Sequence, residues 1–195
     1  MRVNRAKGSG MGHYNSDVRD ATTLSRTVRT VRATWAHHRD SGRSLSALVI
    51  NSRWKRGPAS NSGGPFMVSL TQYTPRHLTD VADIWRASEK LGDQLAEIDG
   101  AVGVMTYVQP GRRHVGSLSI WADDNGLTQF IKLPYHLEIM DKYRPRGLPI
   151  RSAKWWTSEF RVHAALNHSL QMLDTENERR RVVGPKPKDP ECGGK

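Results

Sequence analysis

From Gly100 to Phe160 strand, turn and helix signals follow one another without a gap, and this order admits few folds. Ala101 to Val108 is rich in Val, Met and Tyr, and Val115 to Trp121 alternates small or polar residues with Leu118 and Ile120. Both segments fit strands with a buried face. Gln109-Pro110-Gly111-Arg112-Arg113 between them predicts a tight turn, with Pro presetting one backbone angle and Gly permitting a positive one. Asp123 or Asp124 can cap a helix carrying Leu127, Phe130 and Ile131, Pro134 interrupts it, and a second helical stretch carries His136, Leu137 and Met140. Ile150 to Thr157 is extended again. The segment therefore reads strand, strand, helix, strand.

A further strand and helix precede it. Phe66, Val68 and Leu70 fall on one face of FMVSLTQY, with Met67, Ser69, Thr71 and Tyr73 on the other. Thr74-Pro75 predicts a cap and first helical position, opening a helix to about Ile98 with Val81, Ile84, Trp85, Leu91 and Leu95 in its apolar stripe. The sum is βαββαβ, an α+β ferredoxin-like domain over 66–160 with a four-stranded antiparallel sheet and both helices on one face. A C-terminal helix is expected over 161–178 and a disordered tail over 179–195. The sheet face away from the helices then lacks cover. Met67, Met105, Tyr107 and one of Trp155 and Trp156 are assigned to it, and a homodimer paired through it is expected.

Charge separates the remainder of the chain. Residues 1–65 hold twelve Lys/Arg against three Asp/Glu, whereas 66–172 hold twelve against eleven. With no sustained apolar period, 1–65 reads as a disordered basic arm. Three alternatives stand for it: a nucleic-acid-binding arm, a transit peptide, or a translated upstream frame foreign to the native protein and ending just before Met67. The last is preferred, because the segment has no Glu and uses Arg far more than Lys. No apolar run approaches the roughly 18 residues of a spanning helix, so a cytoplasmic chain without a membrane partner is expected. Cys192, the one cysteine, excludes an intrachain disulfide.

Ser119-Ile-Trp121-Ala-Asp-Asp-Asn-Gly-Leu127-Thr-Gln-Phe130, then Leu133-Pro-Tyr-His136 and Met140, resembles the dimeric α/β-barrel superfamily, specifically the antibiotic-biosynthesis-monooxygenase-like domains. The resemblance implies a ligand pocket between sheet and helices, with Trp121 and His136 as carried-over catalytic positions. It implies a small-molecule monooxygenase-like enzyme that binds an apolar or aromatic substrate and needs no cofactor. A non-catalytic ligand- or haem-binding protein is the alternative, and nucleic-acid binding through the arm a second. The haem-degrading relatives place their proximal histidine where this chain has Met140, so haem is not indicated.

Tyr107, Tyr135, Phe130, Met140 and Trp85 are the expected substrate contacts, and no metal site is expected. Each has a structural counterpart reading: Trp121 as core, the tyrosines as rim residues, and His136 as a brace for the kink at Pro134. Arg112-Arg113-His114 reads as a solvated hairpin tip in preference to an anion site. Asp80, Asp83 and Asp123 read as helix-end and surface acids.

Overall fold

In the computed structural model, which describes residues 48–183, six strands form one antiparallel sheet. Strands β1 (Ile50–Asn51) and β2 (Lys55–Arg56) precede β3 (Phe66–Tyr73), α1 (Leu78–Asp93), β4 (Ala101–Gln109) and β5 (His114–Trp121). Helices α2 (Asp124–Ile131) and α3 (Pro134–Tyr143), β6 (Arg151–Thr157) and α4 (Val162–Val183) complete the order. The four long strands lie in the order β4-β5-β3-β6, which is the ferredoxin-like arrangement expected from the sequence. No helix among the described residues is long and apolar enough to cross a membrane.

Local expectations meet the structure closely along the strands. Leu70 stands opposite Leu118 on one side and Ala153 on the other, so the alternation of β3 is continued across three strands. Asp123 caps α2, its carboxylate accepting from Gly126 N at 2.7 Å, and Pro134 opens α3. Two turns differ. Helix α1 starts at Leu78, not at Pro75, because Pro75 bridges Gly147 and the Thr74 carbonyl accepts from Leu148 N at 2.9 Å. In the β4–β5 turn the left-handed residue is Arg113, with φ 55°.

The larger correction concerns the sheet face expected to be bare. Phe66, Val68, Leu70, Met105, Tyr107, Leu118 and Ile120 do share a face, and all are buried. Leu166, Leu170 and Leu173 of α4 cover it, joined by Trp155, whose Nε1 donates to Ser169 Oγ at 3.1 Å. Met67 lies instead on the opposite face, packed with Leu91, Leu95, Trp121 and Phe130, while Trp156 remains 49% exposed. A face closed within the chain offers no surface for sheet-to-sheet pairing, so the reason for expecting a homodimer there is removed.

A second correction moves the domain boundary. The compact unit begins at Val49, so the stretch 49–65, expected within the arm, belongs to the fold. Strands β1 and β2 both pair with the outer edge of β4, in the registers Ile50↔Val108 and Lys55↔Val104. Lys55 reaches α1 through Asp93 Oδ1 at 2.8 Å, and the Trp54 and Phe160 rings lie 6.3 Å apart. A preference for disorder based on composition misses this, because a few side chains seated on an existing sheet edge need no apolar period of their own. The rest of the expected arm, 1–47, and the tail from 184 lie outside the described residues. Helix α4 continues past 178, where its end was expected, to Val183.

Gly103 shows how closely Trp54 is seated. A Cβ at Gly103 would fall 2.3 Å from the Trp54 ring and 2.6 Å from the Lys55 carbonyl oxygen. Gly103→Ala is therefore expected to lower stability by about 1 to 3 kcal/mol through overpacking. Urea denaturation of Gly103→Ala, Trp54→Ala and the double variant checks it: the penalty should shrink once the ring is gone.

Candidate functional site

The face of the sheet opposite α4 carries a run of small hydroxyls. Ser69 and Thr71 of β3, Ser117 and Ser119 of β5 and Ser152 of β6 form the floor of a cavity of about 460 Å³. They converge because alternate residues of neighbouring antiparallel strands share a face, and the register sets Ser69 opposite Ser119 and Thr71 opposite both Ser117 and Ser152. Small side chains there leave the space that larger ones would fill. Apolar side chains from α1, α2 and α3, among them Ile84, Leu91, Leu127, Phe130 and Ile139, form the walls.

His136, on the first turns of α3, lines this cavity. Its Nδ1 lies 3.0 Å from the Ile131 carbonyl oxygen, across the break between α2 and α3. The tautomer that donates there leaves Nε2 with a free lone pair. Burial lowers the pKa of the ring below its ordinary value of 6.5, and the positive charge of Arg144 lowers it further, against the raising effect of the Ile131 bond. The imidazole is thus neutral at pH 7 and able to accept a proton. Bracing the kink and presenting a base are compatible here, because different nitrogens serve each purpose.

Phe130 and Met140 share the cavity with His136, and the rings of Phe130 and His136 are 5.4 Å apart. Trp121 stands behind them. It is fully buried, 5.4 Å from Phe130, and its Nε1 donates to Ser119 Oγ at 2.9 Å. Its place is in the core, where it fixes a hydroxyl and a ring that line the cavity. The other expected contacts lie elsewhere. Tyr107 is on the α4 side of the sheet, where burial raises its pKa. Tyr135 lies under Lys90, 4.4 Å from the ring centre, in a shallow charged groove between α1 and α3. Trp85 is half-buried and lines neither space.

Residues outside the expected set of contacts lie at the same end of the cavity. The Tyr73 hydroxyl donates to the Tyr143 carbonyl at 2.6 Å, and both side chains line the cavity. Burial, with the nearby Asp80 charge, raises the Tyr73 pKa, so the phenol keeps its proton. Asp80, expected to be a surface acid, is only 2% exposed and takes a two-pronged bond from Arg146, at 2.5 and 3.2 Å. Sequence alternation placed Ser69, Thr71 and Tyr73 on one face, and the same reasoning applied to β5 would have added Ser117 and Ser119.

His136 and Met140 are one turn apart on one helix, so both would approach a bound group from the same side. They cannot serve as opposite axial ligands of a haem. Among the described residues no cluster of three or more His, Cys, Asp or Glu is placed to hold a metal ion. Arg112 of the hairpin tip is not free for an anion, since it holds Asp174 of α4 at 2.7 and 2.8 Å.

Fold and cavity together define an α+β ferredoxin-like domain with a small-molecule-sized space between sheet and helices. Solved structures similar to the chain include a conserved protein from Methanosarcina mazei, at 13% identity and a TM-score of 0.42, covering 47% of this chain and 91% of that one. Another is a Mycobacterium tuberculosis protein, Rv0793, at 10% identity and a TM-score of 0.43, covering 49% and 97%. A third is a proposed antibiotic biosynthesis monooxygenase from Nitrosomonas europaea, at 11% identity and a TM-score of 0.41, covering 48% and 91%. No family model and no curated protein matches the chain.

Proposed function

We propose that the chain binds an apolar, aromatic small molecule in the cavity between the sheet and helices α1 to α3, and oxygenates it as a cofactor-independent monooxygenase. The observation that carries this reading is the placement of His136, its Nδ1 engaged by the Ile131 carbonyl, in a cavity between a floor of small hydroxyls and the apolar side chains of α1 to α3. Such a site can hold an electron-rich ring away from water and take a proton from it.

The chemistry is that of an acidic ring CH₂ flanked by aromatic rings. Nε2 accepts one of its protons, and the carbanion reduces dioxygen and joins it at the same carbon as a hydroperoxide after reprotonation. Loss of the second C–H proton and cleavage of the O–O bond then release water and leave a C=O group. One oxygen atom stays in the product and the other leaves in water, so the four-electron oxidation of carbon balances the reduction of dioxygen. The Ser69 hydroxyl at the cavity floor supplies a donor to the substrate's own oxygens.

Oxygen consumption with dithranol as probe tests the proposal. His136→Asn is expected to lower kcat/KM by about 10²- to 10⁴-fold while leaving the thermal midpoint within a few degrees. Dithranol consumed no faster than its uncatalysed oxidation, or full activity in His136→Asn, would overturn it. The pH profile gives an independent check. The base must be neutral to act, so the acid limb of kcat/KM should fall below pH 6.5, the ordinary histidine value. Arg144→Met removes a charge that disfavours the imidazolium and should move that limb upward in pH.

A further inference from the structure

The cavity is asymmetric in charge. Arg144 and Lys154 line it, and no Asp or Glu does. Lys154 is partly committed, its Nζ lying 2.9 Å from Asp124 Oδ1, yet both members of that pair are more than half exposed and the bond is correspondingly weak. Arg144 forms no ion pair among the described residues. Two acids of α1 are already occupied: Asp80 by Arg146, and Asp83 by Arg86 at 2.7 Å. Apolar walls beside an exposed cation without an ion pair suit a ligand with an apolar body and one negative group. The floor hydroxyls of Ser69, Ser117 and Ser152 add neutral donors that a carboxylate can accept from, whereas an ammonium would meet two like charges.

We infer that the ligand of this cavity is an amphipathic anion, an apolar ring system bearing a carboxylate, with Arg144 as the main counter-charge and Lys154 as a secondary one. The inference rests on the small-molecule reading of the cavity above and narrows it to a chemical class. It also separates two duties: His136 faces the atom that loses a proton, and Arg144 holds the end that does not react.

Calorimetric titration of the full chain at pH 7.5 with 2-naphthoate, 2-naphthylmethanol and 2-naphthylmethylammonium tests it, the three probes sharing a ring system and differing in charge. Naphthoate is expected to bind about tenfold or more tightly than the alcohol, with the ammonium weakest. Arg144→Met should close most of the gap between naphthoate and alcohol without weakening the alcohol, and Lys154→Met should close less of it. Ser117→Phe, which fills the cavity, should abolish binding of both. Equal binding of naphthoate and alcohol would overturn the anion assignment and leave the cavity reading intact, as would a preference for the ammonium. A preference for naphthoate that survives in the Arg144→Met/Lys154→Met double variant would overturn the assignment to these residues. Binding of none of the three would remove the cavity reading itself, and the inference with it.

Discussion

A chain shortened to begin at Met67 is expected to lose cooperative unfolding, or to melt far below the full chain, whereas one beginning at Leu48 should retain its transition. The shorter chain would lack the pairing of β1 and β2 with β4, the bond from Gly57 N to the Val102 carbonyl at 3.0 Å and the bond from Ser52 N to the Thr106 carbonyl at 2.8 Å. Val49, Trp54 and Ala59 would also leave the cluster built on Met105, Tyr107 and Leu118. Hydrogen bonds of about 1 kcal/mol each, and roughly 25 cal/mol for every Å² of apolar surface left open, add to about 5 kcal/mol or more. A domain of this size has a total stability of about 5 to 15 kcal/mol, so the loss is comparable with the whole. Differential scanning calorimetry of the two shortened chains decides the matter. An unchanged midpoint in the Met67 chain would show that the β4 edge does not need its short partners.

The second large effect is expected at Arg146. Removing its guanidinium as Arg146→Met should destabilise the protein by about 1 to 3 kcal/mol, because the Asp80 carboxylate would stay buried without the partner that reaches it from a half-exposed position. Arg146→Met with Asp80→Leu should recover much of that loss, since no unpaired carboxylate then remains in the interior. Chemical denaturation of the single and double variants gives the coupling directly. The pair has a functional side as well. Arg76 N donates to the Arg146 carbonyl at 2.9 Å, and Leu148 N to that of Thr74, so the strap carrying Arg146 is laced to the loop after β3. Tyr73, Tyr143 and Arg144 lie at this junction and line the cavity. Loosening the strap should weaken naphthoate binding in Arg146→Met even where the fold survives, and the same titration reads it.

Part of the site was legible before the fold was known. His136, Phe130 and Met140 were found by the motif that runs from Ser119 to Met140, and the cavity brings these three together. Trp121 comes from the same motif yet lies in the core, while Tyr107, Tyr135 and Trp85 were chosen by residue type, and the structure places them on the opposite sheet face and outside the cavity. Aromatic residues suit a core, a rim and a pocket equally well, so their identity carries little positional information. Serines and threonines drew less notice, yet their small volume opens the space.

What the sequence determined by itself is the succession of the main elements from Phe66 onward and the phase of the strands. The alternation in FMVSLTQY, a cap at Asp123 or Asp124 and the break at Pro134 act within a few residues, where backbone sterics and local hydrogen bonds dominate, and each appears in the structure, with Asp123 as the cap. The same local patterns state which side of a strand is apolar but not what will cover it. That the face of Met105 and Tyr107 is closed by α4 and by the stretch after Leu48, that Asp80 is held by Arg146, and that Arg144 faces a cavity without an acid were decided by tertiary packing alone. These contacts join segments far apart in the chain, and their free energy comes from excluding water between surfaces that become neighbours only once the sheet has formed.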